Sequence, residues 1–335
     1  MDKLITLNHG SGGRLTSELI SNVFVKRFGI TEPLTDSAIL EKPGYQLAFT
    51  TDSYVVDPLF FPGGDIGILS VCGTVNDLAV SGAIPLYLSA AFIIEEGFPL
   101  SDLIRIVDSM SKEADIAGIR IVTGDTKVVE KGKCDGIYIT TAGFGYLPVG
   151  TEKISSAVNV RDGDWLIITG SVGEHSLAVM GARKKLTFRT PVKSDVASLN
   201  HLIHKVLDHS REIHFMRDLT RGGLATILNE LTIMTGRGLE INESAIPIEE
   251  PVSGLCEILG FDPLYLANEG KALIVSGEKD PGKVLEVLHS DPLGKKASVI
   301  GKVLDDKKRI VVMNTSIGGK RILDLHSGMQ LPRIC

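Results

Sequence analysis

The chain has 335 residues, Lys+Arg 35 against Asp+Glu 41 for a formal net charge of −6, and 43% hydrophobic against 23% charged residues. With a mean hydropathy of +0.18, this composition excludes a disordered chain, and the length favours two cores over one. The acidic balance, free of blocks of like charge, excludes a nucleic-acid or anionic-membrane surface, so any bound phosphate must be met locally.

In chain order, Arg14 to Phe28 carries Leu15, Leu19, Ile20, Val23 and Phe24 at helical spacing, and Gly29 closes the segment. Leu47 to Thr51 reads as a strand that ends in Thr50-Thr51-Asp52-Ser53. Asp65 to Val80 reads as an apolar helix broken by Gly82, and Leu86 to Ile94 as a strand. Ile66 to Ile94 resembles a membrane span, but Asp77, Gly73, Gly82 and Pro85 interrupt it, so a buried helix and a buried strand are expected instead. Ser101 is expected to cap a helix that stops at Gly118. A short strand from Ile119 to Val122 then runs into Gly124-Asp125-Thr126-Lys127, and Ile137 to Phe144 is one more strand.

Pro148 to Asp164 has no strong period and several turn formers, which predicts a domain boundary. Beyond it the patterns predict a second α/β unit. Its strands are Trp165 to Thr169, Ala272 to Val275, Ser298 to Val303 and Ile310 to Met313. Its helices are Glu174 to Leu186, Leu199 to Leu207, Gly222 to Met234 and Lys283 to Leu288. The last eleven residues, LHSGMQLPRIC, read as an extended tail.

Four carboxylates, Asp36 (TDSAIL), Asp52 (TTDS), Asp77 (VNDLAVSGA) and Asp125 (TGDTK), stand in or beside apolar or small-residue stretches. As a set they suit Mg²⁺ shared with nucleotide phosphates, although each alone also reads as a cap or turn residue. His9-Gly10-Ser11-Gly12-Gly13-Arg14 opens a helix where N–H groups can cradle an anion. It is not a P-loop, and a plain turn stays open. Arg217-Asp218-Leu219-Thr220-Arg221-Gly222-Gly223 sets two arginines and a Gly pair at a helix start, suited to phosphate or to a capping turn with solvated arginines. Glu269, in Asn268-Glu269-Gly270-Lys271, is a candidate general base or an exposed turn residue. The seven histidines besides His9 show no zinc-ligand pattern and read as surface residues.

Cysteines at 72, 134, 256 and 335 form no C-x-x-C pair, so reduced thiols in the cytoplasm are expected, and MDKLITLNHGSGG shows no secretory signal. Cys335, the last residue, is expected to expose its thiol at the tip of a mobile segment, either a reactive group put to use or an incidental free thiol.

Taken together, HGSGG, TTDSYVVDPLFFPGGDIG, CGTVNDLAVSGA, VTGDTKVV, RDLTRGGLA, DPLYLANEGK and the final PRIC resemble, over the whole chain, the HypE family of hydrogenase maturation proteins. That family lies in the superfamily of aminoimidazole ribonucleotide synthetase, selenophosphate synthetase and thiamine-monophosphate kinase. Several of these motifs are shared across the superfamily, whereas the PRIC end is particular to HypE.

The resemblance implies an α/β, two-domain PurM-like fold with mixed sheets. Residues 1–150 would form an ATP-binding domain that dimerises through its sheet, residues 151–324 a domain with helices over a mixed sheet, and residues 325–335 a mobile catalytic tail. Asp36, Asp52, Asp77 and Asp125 would face Mg²⁺ and phosphates, with Asn76, Thr126 and Lys127 as nucleotide contacts. Gly12, Gly13, Asp218 and Arg221, from the two Gly-rich turns, complete the expected ATP set.

The implied reaction is ATP-dependent dehydration of an S-carbamoyl group on Cys335 to S-cyanocysteine. Glu269 would be the base and His9 a second candidate. HypF would deliver the carbamoyl group, and the HypC–HypD complex would receive the nitrile for the iron of a [NiFe] hydrogenase. Phosphorylating an amide oxygen turns water loss into phosphate loss, and eleven extended residues span up to roughly 35 Å, enough to reach a site between domains. Two alternatives remain: another superfamily reaction on a small amide or phosphate ester, and a nucleotide-regulated scaffold that docks through its final cysteine.

Overall fold

A computed structural model describes residues 14–19, 21, 38–42, 45–184, 192–277, 279, 281–306, 308–325 and 331–335. His9, Gly12, Gly13 and Asp36 lie outside the described residues. Of the helix expected from Arg14 to Phe28, α1 (Arg14–Leu19) is described.

The first unit is a five-stranded sheet ordered β1-β2-β7-β5-β6, from β1 (Ala38–Lys42), β2 (Tyr45–Tyr54), β5 (Ile84–Glu95), β6 (Arg120–Val129) and β7 (Ile137–Leu147). Between β2 and β5 lies a small ribbon of β3 (Phe60–Phe61) and β4 (Gly64–Asp65). The β5–β6 pair is parallel and the other pairs in the five-stranded sheet are antiparallel. On this sheet packs α2 (Ile66–Val80), whose N-cap Asp65 accepts bonds from the Gly67 and Ile68 N–H groups at 2.8 and 3.0 Å. The Ser109 hydroxyl of α3 (Leu100–Ala117) reaches the same carboxylate at 2.6 Å and ties the two helices together.

Nearly every residue of α2 is buried. One side faces β2 and β7, and the other faces the second unit, so the run that resembled a membrane span is a core helix followed by a strand. Among the described residues no helix is long and apolar enough to cross a membrane.

Residues 148–164 carry neither strand nor helix. After them comes a seven-stranded sheet ordered β14-β13-β10-β12-β8-β11-β9, with β10 and β13 parallel and the remaining pairs antiparallel. Its strands are β8 (Trp165–Ile168), β9 (Ile213–Asp218), β10 (Gly238–Asn242), β11 (Ala272–Ser276), β12 (Ser298–Leu304), β13 (Val311–Asn314) and β14 (Lys320–Leu323). Helices α4 (Glu174–Arg183), α5 (Asn200–His209), α6 (Gly223–Thr235), α7 (Glu250–Leu259) and α8 (Pro281–His289) complete it. One cluster centred on Phe215, Leu228 and Leu273 fills the α6 side, and another with Ile203, Met216 and Ile274 fills the α5–α8 side.

Three local expectations are corrected. Ser101 lies inside α3, whose N-cap is Pro99 without a side-chain cap bond, while Gly118 closes the helix in the left-handed region at φ 70° as expected. Gly124-Asp125-Thr126-Lys127 is not a loop after a short strand, because pairing with β5 carries β6 through to Val129. Similarly, Asp52 sits inside β2, paired with Thr141 of β7, rather than at a strand end.

Candidate active site

Thr50 and Asp52 lie two apart on β2 and share a face, while Thr74 and Asp77 lie three apart on α2. The two periods interlock: the Thr50 hydroxyl donates to Asp77 at 2.8 Å and the Thr74 hydroxyl donates to Asp52 at 3.0 Å. Close approach here depends on Gly73, where a Cβ would come within 2.3 Å of the Tyr54 hydroxyl. Burial raises the Asp52 carboxyl above its ordinary range, opposed by the Thr74 bond and the Arg221 charge. The Tyr54 phenol is driven well above its usual value by burial and by Asp52, with Glu269 and Asp77 adding to the shift.

From the second unit come two loops at one end of the seven-stranded sheet. Arg217 and Asp218 end β9 rather than opening a helix; α6 begins after the left-handed Gly222. Gly223, at φ 58°, carries no Cβ because one would lie 2.5 Å from the Leu266 carbonyl, so the α6 start packs directly on the 264–268 loop. Asp218 pairs with Ala272 across the β9–β11 ladder, which puts the residues just before β11, Glu269 among them, beside it.

Glu269 is 3% exposed, which rules out the exposed-turn alternative, and among the described residues its Oε1 has no hydrogen-bond partner. Burial, then Asp218 and Asp195, hold its carboxyl well above the ordinary range, while Arg221 pulls it down. A desolvated carboxyl of this kind is a strong base once ionised.

A strap over residues 192–199 fixes this loop. The Asp195 carboxylate accepts from the Glu269 and Gly270 N–H groups at 3.2 and 3.1 Å and from Lys271 Nζ at 3.2 Å. Asn76, expected as a nucleotide contact, spends its amide on the same strap: its Nδ2 donates to the Ala197 carbonyl at 3.0 Å, and its Oδ1 accepts from the Leu199 N–H at 2.7 Å.

The 331–335 segment is seated, not projecting. Ile334 is buried in the first unit's core, where Leu331 and Cys335 pack beside it. Four consecutive carbonyls each meet a donor. Arg183 Nη1 bonds that of Pro332 at 2.7 Å, and Arg183 Nη2 bonds that of Arg333 at 2.6 Å. His175 Nε2 bonds the Ile334 carbonyl at 2.9 Å, and the Val55 N–H bonds that of Cys335 at 3.2 Å. Arg333 in turn pairs with Asp135 and donates to the Val55 carbonyl at 2.9 Å.

The expectation of an exposed thiol is therefore corrected. Burial pushes the Cys335 thiol up to about 12, against the pull of Arg221, and Glu269, Asp52 and Asp218 push it the same way. The Arg221 guanidinium feels Cys335 before any other group, then Glu269 and Asp52. Cys335, Glu269, Arg221, Asp218 and Asp52 thus form one electrostatic cluster between the two units.

Asp125, Thr126 and Lys127 do not join it. They lie on the exposed β6, where Lys127 pairs with Asp125 at 2.8 Å. That Lys127 bond, with the Thr126 N–H, holds the Asp125 carboxyl below the usual range. Two strands separate β6 from β2, about 14 Å at ordinary strand spacing. Asp125 and Thr126 line a separate cavity of about 850 Å³ between β6 and α3, with Phe92, Met110 and Asp115.

The histidines are not all surface residues: His175 is fully buried and His214 nearly so, bonded to Asp164 at 2.7 Å. No spacing motif marked His175; its one sequence signal is its place beside the Gly173 that starts α4.

Among the described residues no three carboxylate, imidazole or thiol groups gather into a ready cation cage. Mg²⁺ shared with phosphates needs only one or two carboxylates. Asp52 and Asp77 supply hard oxygen donors, and the orphaned Glu269 oxygen, whose carboxyl feels Asp52, marks a buried polar atom whose partner is still to be supplied. The residues fit Mg²⁺ on those terms.

Comparison with known proteins agrees with this geometry. Residues 34–147 match the family described as AIR synthase related protein, N-terminal domain, and residues 161–314 match its C-terminal domain counterpart. The carbamoyl dehydratase HypE of Rhodobacter capsulatus is 50% identical over 339 residues, covering 100% of this chain and 99% of that protein. A crystal structure of a HypE–HypF complex is similar at TM-score 0.87 and 48% identity, covering 92% of this chain and 99% of that one. A crystal structure of HypE in complex with ATP is similar at TM-score 0.83 and 45% identity, covering 99% and 100%. The thiamine monophosphate kinase of Aquifex aeolicus, at 15% identity and TM-score 0.68, shares the fold. By sequence over its full length and by its two-domain PurM-like architecture, the chain belongs to the carbamoyl dehydratase HypE family of hydrogenase maturation proteins.

Proposed function

We propose that the protein uses ATP to dehydrate a carbamoyl group carried on the sulfur of its own Cys335, giving S-cyanocysteine. The observation that carries this reading is the seated tail, which holds the Cys335 sulfur in one cluster with a desolvated carboxyl, Glu269, and a cation, Arg221. MgATP, when bound, supplies a phosphoryl group that makes the carbamoyl oxygen a phosphate leaving group. Asp52 and Asp77 would hold the cation.

Two N–H protons must leave the carbamoyl nitrogen as the C–O bond breaks. Glu269, unpaired at Oε1 among the described residues and driven to high proton affinity, takes one of them. Arg221 offsets negative charge that develops beside the sulfur. The half-buried seat of Cys335 limits the access of water, which would otherwise hydrolyse the thiocarbamate back to the thiol. The balance is thiocarbamate plus ATP to thiocyanate, ADP and phosphate. His9, Gly12 and Gly13 retain their proposed roles as second base and anion cradle.

A second copy of the chain is proposed to cover the exposed face of the first sheet, where β6 leaves its outer edge open. Ile121, Val122 and Val128 on that strand, with Phe49, Tyr87 and Tyr146 on the others, are exposed apolar groups that a homodimer would bury. Within it Asp125, Thr126 and Lys127 would meet nucleotide. Residues 1–150, 151–324 and 325–335 are proposed as its two domains and catalytic tail. HypF is proposed as carbamoyl donor and the HypC–HypD complex as nitrile acceptor, in the cytoplasm, where the four cysteines stay free thiols as they are here.

The test is mass spectrometry of the final peptide after incubation with HypF, carbamoyl phosphate and ATP. A gain of about 43 Da at Cys335 followed by a loss of about 18 Da supports the reading, as phosphoryl-activated dehydration requires. ATP hydrolysis at an unchanged rate in Cys335→Ala, with no mass change in the wild type, would overturn it.

A further inference from the structure

We infer that His175 is a positioning residue that sets the Cys335 sulfur against Glu269. This deepens the cyanation reading and rests on it.

The Ile334 carbonyl can only accept, so His175 Nε2 carries the proton. Burial lowers the proton affinity of the fully buried imidazole, opposed by the Asp195 charge and the Ile334 bond, which keeps the ring neutral. Nδ1 therefore accepts from the Ser194 hydroxyl at 2.7 Å, and that hydroxyl in turn accepts from the Val196 N–H at 3.1 Å. The Phe61 ring, edge-on with centroids 5.4 Å away, fixes the plane of the imidazole.

Two consequences follow from this single tautomer. With His175 on the Ile334 carbonyl and the Val55 N–H on the Cys335 carbonyl, the groups on either side of the Cys335 Cα are both fixed. Only χ1 remains to aim the sulfur. Ser194 is also the chain neighbour of Asp195, whose carboxylate holds the Glu269 and Gly270 N–H groups. One continuous path of bonds thus runs from the tail through His175, Ser194 and Asp195 to the backbone of the proposed base. A buried imidazole with no place among the reacting atoms thereby registers sulfur and base against each other.

The test compares His175→Gln, whose amide N–H can stand where Nε2 stood, with His175→Asn, whose shorter side chain cannot reach, and with Ser194→Ala. Two readouts are taken on each full-length variant: single-turnover loss of about 18 Da from carbamoylated Cys335, and alkylation of Cys335 by iodoacetamide, followed on the final peptide. The expected result is dehydration about tenfold slower in His175→Asn, carbamoylation by HypF unchanged, faster Cys335 alkylation, and rescue of both by His175→Gln. Ser194→Ala, which leaves the tail bond but frees the ring, is expected to slow dehydration less than His175→Asn.

His175→Asn that dehydrates and alkylates at wild-type rates would overturn the inference, as would His175→Gln that fails alongside it. If wild-type Cys335 never loses the mass of water, the cyanation reading fails by itself. The alkylation arm still decides whether His175 seats the tail.

Discussion

Glu269→Gln should weaken function and strengthen the fold. The substitution keeps shape and polarity at a site 3% exposed and removes the ionisation that burial, Asp218 and Asp195 oppose. Leaving a buried polar group unsatisfied costs about 1–3 kcal/mol, and because the Gln amide is itself polar the lower end applies, about 1 kcal/mol gained. At the usual entropy of unfolding per residue, a 335-residue chain converts that to about 1–2 °C in melting temperature.

The sign of the pH dependence is fixed by the direction of the shift. A carboxyl whose folded pKa lies above its unfolded value contributes stability that is complete below the unfolded pKa and lost as pH rises through the folded one. The advantage of Gln should therefore be absent at acid pH, grow as pH rises above the ordinary value of 4.5, and then level off. Single-turnover dehydration should fall about a hundredfold or more, the usual scale for a lost general base. Scanning calorimetry of both proteins across pH, paired with the mass assay, checks each part. A Gln variant that melts below the wild type in mildly alkaline buffer, or whose advantage shrinks as pH rises, would refute the reasoning.

Arg183→Ala removes donors to the Asp57, Pro332 and Arg333 carbonyls, so Cys335 alkylation should accelerate about tenfold or more. The pH midpoint of alkylation should also move down from about 12 toward 9.0, as peptide mapping would register. Asn76→Ala strands the Leu199 N–H and the Ala197 carbonyl and should lower the melting temperature by about 3 °C, measured by calorimetry. Lys127→Ala, at an exposed pair on β6, should leave melting unchanged while slowing ATP-dependent turnover, which separates a nucleotide contact from a structural one. Chelation of divalent cations should stop turnover without changing the melting curve of the nucleotide-free protein.

Most of the elements were legible because their signals are local. α2 announced itself by a largely apolar run, and Gly118 ended α3 by its left-handed conformation. β1, β3, β4, β9, β10, α7 and β14 were missed. β9 is buried along its whole length and shows no alternation, whereas β14 is a short edge strand with one buried residue. β6 was cut short because Gly124 and Asp125 read as turn formers, yet pairing with β5 overrode them.

In the site, motif resemblance pointed to Glu269, Cys335, Asp52 and Arg221, and these the fold gathers. The motif resemblance also offered Asn76 as a nucleotide contact, but no motif shows the bonds its amide makes to the 192–199 strap, because those partners lie more than 120 positions away. His175 and the half-buried thiol depend on contacts spanning 159 and 278 positions, from His175 to Ile334 and from Val55 to Arg333, and no spacing rule encodes those.

The central claim is that the carbamoyl oxygen leaves as phosphate. The measurement that addresses it most directly uses protein whose Cys335 has been carbamoylated with heavy-oxygen-labelled cyanate, which adds to thiols with its oxygen retained. A single turnover with MgATP is followed by mass analysis of the released phosphate. The account predicts one heavy oxygen in each phosphate formed as Cys335 becomes the thiocyanate, with both products appearing about a hundredfold more slowly when Glu269→Gln replaces the wild type. Thiocyanate formed with the label released into water, and phosphate unlabelled, would contradict it.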